Sequence, residues 1–184
     1  MLIFFGVAKI SLDIFNASEN KYVTTSQIEN SINNADSTLI SDITYNSEFG
    51  YKIFIPKGFK YSVIKEKKML IITKTLNDDS RITIAVNKIE TNEDLTTVIK
   101  GATKYLQSIN DTYKISKYYE FKTHMNKGIQ VRFEVVKEGI KYKGLLTLFK
   151  NNSNIYMITA STTRPNWENS RAEIELILSS FTLL

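Results

Sequence analysis

The strongest constraint on this chain lies between Gly128 and Leu184, where three segments of period 2 are followed by one of helical period. Ile129, Val131, Phe133 and Val135 alternate with Gln130, Arg132 and Glu134. Successive strand residues point to opposite faces, so the apolar set defines one buried face. Glu138-Gly139 marks a turn, Tyr142 to Phe149 continues the pattern, and Asn151 to Asn154 turns again before a last strand from Ile155 to Ser161. Pro165 breaks that strand and Asn166 is placed to cap a helix. In that helix Ile174, Ile177, Leu178 and Phe181 form a stripe at helical spacing. The pattern demands an antiparallel meander closed by a helix, and it carries no chemistry.

Upstream, Tyr51, Ile53 and Ile55 alternate with Lys52 until Pro56, which has no N–H to give a ladder. Lys57-Gly58 reads as a turn. Met69 to Thr75 is a β-rich run, Asn77 to Ser80 a hairpin loop, and Arg81 to Ile89 a strand with Ile82, Ile84 and Val86 on one face. Between Thr91 and Ile109 the period changes: Leu95, Val98, Ala102, Tyr105, Leu106 and Ile109 recur every three or four residues. This predicts a helix capped by Thr91 or Asn92, with Glu93 and Asp94 at its positive end. Strands resume from Tyr113 to Thr123, with the adjacent Tyr118-Tyr119 placing one ring on each face. One helix between two groups of strands and a second at the end give an α+β class. The expectation is an antiparallel sheet of about six or seven strands with helices on its faces.

The folded domain is expected over residues 43–184. Residues 1–15 hold the apolar run Leu2 to Ala8, too short to span a bilayer, and residues 16–42 are rich in Asn, Ser and Thr. Two readings of the leader stay open: a signal or anchor whose start lies upstream of Met1, or a short element packed on the domain. The first is adopted, with residues 16–42 as a polar tether. Leader, tether and domain in that order imply a protein held at a membrane or exported across it.

A hydrophobic share of 42% and a charged share of 23% are ordinary for a globular chain. The net charge of +5 raises the possibility of nucleic acid as a partner. The excess is dispersed, however, and its densest patch, Lys57, Lys60, Lys65, Lys67 and Lys68, flanks Phe59, Tyr61 and Val63 as a solvated strand edge would. Nucleic acid is therefore not the expected partner, and electrostatic docking of this patch to an anionic surface is kept as an alternative. The absence of cysteine excludes disulfide scaffolds, thiolate metal sites and cysteine nucleophiles.

The segment Tyr51-Lys52-Ile53-Phe54-Ile55-Pro56-Lys57-Gly58-Phe59 resembles the opening strand of the PsbP-like and DcrB-like superfamily, an aromatic, Ile, Pro, Gly, aromatic pattern. The ending resembles it too: Tyr156 and Thr159-Ala160-Ser161, then Trp167, then a helix closing on Ser180-Phe181. The resemblance runs from about Ile43 to Leu184 and rests on core and turn positions. It implies an α/β/α sandwich and, for most bacterial members, a place outside the cytoplasm, often on a lipid anchor. The lipobox cysteine of such anchors is missing here, and no functional residue of the superfamily's plant photosystem II member maps onto this chain.

Candidate chemistry is sparse. His124, the only histidine, sits in Thr123 to Gly128, which reads as a hairpin turn. Asp78-Asp79 lacks a third ligand at calcium-loop spacing, and no glycine-rich phosphate loop occurs. No catalytic, cofactor or metal residue is assigned. Residues that would serve a partner surface are Trp167, Arg164, Tyr118, Tyr119 and the five lysines from Lys57 to Lys68. Trp167 has a second reading, as a cap on the core. The functional expectation is a non-catalytic binding or assembly module outside the cytoplasm, bound to a protein or cell-envelope component. The rival from another class is a small hydrolase or ligand-processing enzyme with a dispersed site, marked by a deep polar pocket holding His124 or two close carboxylates.

Overall fold

A computed structural model describes residues 41–108, 112–137 and 139–184. The leader at 1–15 and the tether up to residue 40 lie outside the described residues. Eleven strands and two helices follow in the order β1 (Ile43–Ser47), β2 (Tyr51–Ile55), β3 (Lys60–Ile64), β4 (Met69–Thr75), β5 (Arg81–Glu90), α1 (Leu95–Ser108), β6 (Thr112–Ile115), β7 (Tyr119–Lys122), β8 (Lys127–Lys137), β9 (Ile140–Asn151), β10 (Asn154–Thr163), α2 (Trp167–Ser180) and β11 (Thr182–Leu183). The strand pairings are antiparallel throughout. The main sheet has the order β3-β4-β5-β10-β9-β8-β6, with β7 also on β8, and a small second sheet has the order β1-β2-β11.

The expected α+β class holds, with more strands than the sequence pattern showed. The stretch from Tyr113 to Thr123 divides into β6 and β7, both on the outer edge of β8. Tyr118 falls in the link between them rather than on a strand, because the backbone there turns to Ser116, whose N–H donates to the Arg132 carbonyl at 2.9 Å.

Period 2 in the central strands fills two separate cores. On β10, Tyr156, Ile158 and Ala160 face α2 and the small sheet, while Ile155 and Met157 face α1. The α2 side gathers Ile82, Ile84 and Val86 from β5 with Trp167, Ile174, Ile177, Leu178 and Phe181. The expected stripe of the last helix is therefore its buried face, and Ile174, Ile177, Leu178 and Phe181 are all fully buried. The α1 side gathers Val98, Ile99, Ala102 and Leu106 against Val131, Phe133 and Val135. Phe133 reaches α1 by crossing Gly144, where a Cβ would lie 2.3 Å from the Phe133 ring and 2.5 Å from the Ala160 carbonyl oxygen. Only glycine fits there.

Two caps differ from expectation. Helix α1 starts at Leu95, the first residue of the apolar period, but later than a cap at Thr91 or Asn92 would place it, and its cap is Asp94: the Thr97 N–H donates to Asp94 Oδ1 at 2.8 Å. Thr91 instead receives the N–H of Glu93 at 3.2 Å. Asn166 precedes α2 but gives its side chain to other partners, leaving α2 without a side-chain cap. Among the described residues no helix is long and apolar enough to cross a membrane.

Candidate binding cleft

Three loops meet at one end of the main sheet. The β4–β5 loop is closed by the Leu76 N–H on the Ser80 carbonyl at 2.8 Å, with Asp79 at φ 61, a left-handed conformation that aspartate tolerates. The β8–β9 turn passes through Gly139 at φ 79. The third piece is the short 3-10 turn Arg164–Asn166, whose start is set by Pro165. Asn166 ties the first and third together. Its amide donates to Asp78 Oδ2 at 2.7 Å, Ser80 Oγ at 2.9 Å and Thr163 Oγ1 at 3.0 Å. A cap would need its side-chain oxygen to accept an N–H from the first turn of α2; the side chain is instead held to the neighbouring loop through Nδ2, and no such bond forms.

Between these loops lies an open cleft of about 820 Å³, lined by Asp78, Asp79, Ser80, Gly139, Ile140, Lys141, Thr163, Arg164 and Pro165. A smaller cleft of about 220 Å³ shares Lys141 and Arg164 with it and continues along Thr112, Tyr113, Lys114, Glu134 and Tyr142. Ile140 and Tyr113 are exposed, at 42% and 49%. The hydroxyl of Ser80, then the amide of Asn166, hold the Asp78 carboxyl below the usual aspartate range. Asp78 and Asp79 both line this open cleft, whereas the hydrolase reading asked for two close carboxylates in a deep one. A general acid also needs its proton held by a raised pKa, and Asp78 is shifted the other way.

His124 stands exposed in the β7–β8 turn and makes no hydrogen bond or ion pair among the described residues. No group of three or more His, Asp or Glu able to hold a metal occurs among the described residues.

The sequence-predicted partner residues do not share one surface. Trp167 is only 7% exposed and belongs to the core on the α2 side, so it presents no face to a partner. Arg164 lines both clefts. Tyr118 is exposed, while Tyr119 lies half-buried beneath the Arg132 guanidinium, 5.6 Å from ring to cation, and its hydroxyl bonds to Gln130. The five lysines are strung along the opposite edge of the sheet. Lys65 pairs with Glu48 at 3.3 Å and Lys68 pairs with Glu90. The Lys57 backbone N–H donates to Asp42 at 2.7 Å. Lys141, Ile140 and Tyr113 were missed in the sequence because no motif marks them; they meet Arg164 only through the sheet register, which pairs Tyr142 with Thr163 and Tyr113 with Val135.

The architecture defines a class: an antiparallel sheet between helices, with its concave surface built from loop tips. The sequence model of the PsbP family matches residues 43–183, and the chain belongs to that family. A comparison with curated proteins found no match. Among solved structures the chain is similar to CyanoP, the cyanobacterial PsbP of Synechocystis sp. PCC 6803. The TM-score is 0.60 at 13% identity, over 81% of this chain and 96% of that one. It is similar to LpqN of Mycobacterium tuberculosis, described as involved in cell envelope biogenesis, at TM-score 0.57 and 11% identity over 88% and 97% of the two chains. It is also similar to the Ran-binding protein Mog1p of Saccharomyces cerevisiae, at TM-score 0.56 and 10% identity over 78% and 96%. At such identities the likeness establishes the fold.

Proposed function

We propose that this chain is a non-catalytic binding or assembly module that works outside the cytoplasm, and that its partner docks at the loop end. The observation that carries the proposal is the open cleft itself. Its walls are fixed by the Asn166 hydrogen bonds, and it presents Arg164 and Lys141 beside the exposed Ile140, with exposed Tyr113 in the smaller cleft that shares those two cations. Aromatic and arginine side chains on a rigid support are the groups that dominate protein–protein contacts. Support for the location comes from the apolar leader and polar tether in the sequence and from the cell-envelope role stated for LpqN.

The test has two arms. Affinity capture with the wild-type chain and with Arg164→Glu should recover a partner that the variant loses; identical recovery by both overturns the docking surface. Fractionation of cells carrying the natural gene with its upstream sequence should place the protein in the envelope or outside the cell, and a wholly soluble cytoplasmic pool defeats the location.

A further inference from the structure

The charges on the loop end indicate which chemistry it takes, an inference that rests on the docking surface proposed above. Lys114, Lys141 and Arg164 all line the smaller cleft. Among the described residues none of the three makes an ion pair, and here three such cations share one cleft. Among the described residues that line it the acid is Glu134, and Lys143 engages it at 3.5 Å. The cleft therefore carries positive charge that the described residues leave uncompensated, inside walls that focus the field.

Size and edge geometry narrow the ligand. A volume of about 220 Å³ is below the range of about 300–1,000 Å³ usual for drug-sized ligands, and suits one or two side chains. Strand β6 ends the order of the main sheet, so one of its backbone edges pairs with no described strand, and an extended segment can lie along it. Exposed Tyr113 on β6 supplies apolar contact beside the cations. The guanidinium of Arg164 matches a carboxylate in two parallel hydrogen bonds, a geometry lysine lacks. Asp78 and Asp79, in the adjoining cleft that shares Arg164 and Lys141, repel any anion and so confine an acidic segment to the β6 side.

We propose that the β6 side of the cleft binds an acidic segment of a partner protein, with a carboxylate on Arg164 and Lys141 and Lys114 beside it. The probe is a capped peptide of four glutamates around one tyrosine, titrated into the isotope-labelled full chain and followed by amide chemical shifts. Its lysine counterpart and inorganic phosphate serve as comparisons. The acidic peptide should shift residues 112–115, 139–142 and 164. Arg164→Glu and Lys141→Glu should each weaken it about tenfold or more, as loss of a close interfacial charge pair does. Lys60→Glu, on the far edge, should leave affinity unchanged, and melting curves should show the variants folded; Lys114→Glu takes the place of any that is not. Shifts centred on residues 57–68 overturn the proposal. So do charge reversals without effect, or equal shifts from phosphate alone, which define a small-anion site instead. If partner capture depends on Arg164 while the peptide does not bind, the ligand class is wrong and the docking surface stands. If neither depends on Arg164, the surface itself fails.

Discussion

Helix α2 ends by carrying Phe181 into a cluster of aromatic rings. Phe181 stacks on Phe149 with centroids 5.0 Å apart and lies 5.2 Å from Tyr51 and 5.9 Å from Tyr156. Burial pushes the Tyr51 hydroxyl pKa well above its ordinary value. Fourteen residues of helix separate this cluster from the other end, where Arg164 stands in the open cleft. The contrast shows what each end is able to do. The aromatic end exchanges water for ring contacts and so stabilises the fold. The charged end stays hydrated, since an unpaired cation is too costly to bury, and its cations remain available to another molecule.

The largest test of that contrast is removal of the whole helix. Deleting residues 166–184 takes away Trp167, Ile174, Ile177, Leu178 and Phe181, all buried. One such side chain typically costs about 2–5 kcal/mol, against a total stability of about 5–15 kcal/mol. The truncated chain should show no cooperative transition in urea, and a normal transition would make the helix an appendage. Next, Phe181→Ala should lower stability by about 3–5 kcal/mol in urea titration. At the cleft end, Asn166→Ala loses three hydrogen bonds and should cost about 1 kcal/mol, with faster amide exchange in the loop at 77–80.

Acid probes the same end more finely. The Asp78 pKa in the folded state is depressed below 3.8. Its contribution is therefore present above the unfolded pKa and disappears as pH falls through the lower folded value. Between about pH 5 and pH 2, the melting temperature of the wild type should fall more than that of Asp78→Asn. The smallest effect belongs to the solvent face midway along the helix. Glu175 accepts from Arg171 Nε at 2.7 Å, one turn away and exposed. Glu175→Ala should leave the melting temperature within about two degrees, because exposed pairs of this kind contribute little. A loss as large as that of Phe181→Ala would erase the distinction between the two ends.

The aromatic end was legible in the sequence and the cleft was not. Ile174, Ile177, Leu178 and Phe181 announce their burial by spacing within one helix, and Val131, Phe133 and Val135 by alternation within one strand. Such patterns survive because neighbouring residues share one local geometry. The cleft joins residues 78–80, 139–141 and 163–165 from three loops, and no local period links them. Arg164 was singled out together with Trp167 as a partner residue, but its companions Lys114 and Lys141 come from distant strands. The capping errors have a related cause. Asp94 sits among several adjacent residues able to cap, and its partner Thr97 lies in the same first turn, so the local pattern left the choice open; Asn166 is drawn off by Asp78 of the neighbouring loop, a partner that only the tertiary fold supplies.

Strand β11 has a consequence for how the domain comes into being. Thr182 and Leu183 pair with Lys52 and Tyr51, and the Leu184 N–H donates to the Gly50 carbonyl at 3.0 Å. Nearby, the Phe54 N–H donates to Ser180 Oγ across 126 residues of chain. The small sheet thus joins some of the first residues of the domain to its very last ones. A ribosome holds the most recent stretch of a nascent chain inside its exit tunnel, so β2 waits for β11 until that segment has emerged. Closure of this domain follows the exit of β11 from the ribosome, slowed by the entropy of bringing such distant segments together. Until then, any factor that acts on the emerging polypeptide meets Tyr51, Phe149 and Tyr156 without the ring that will cover them.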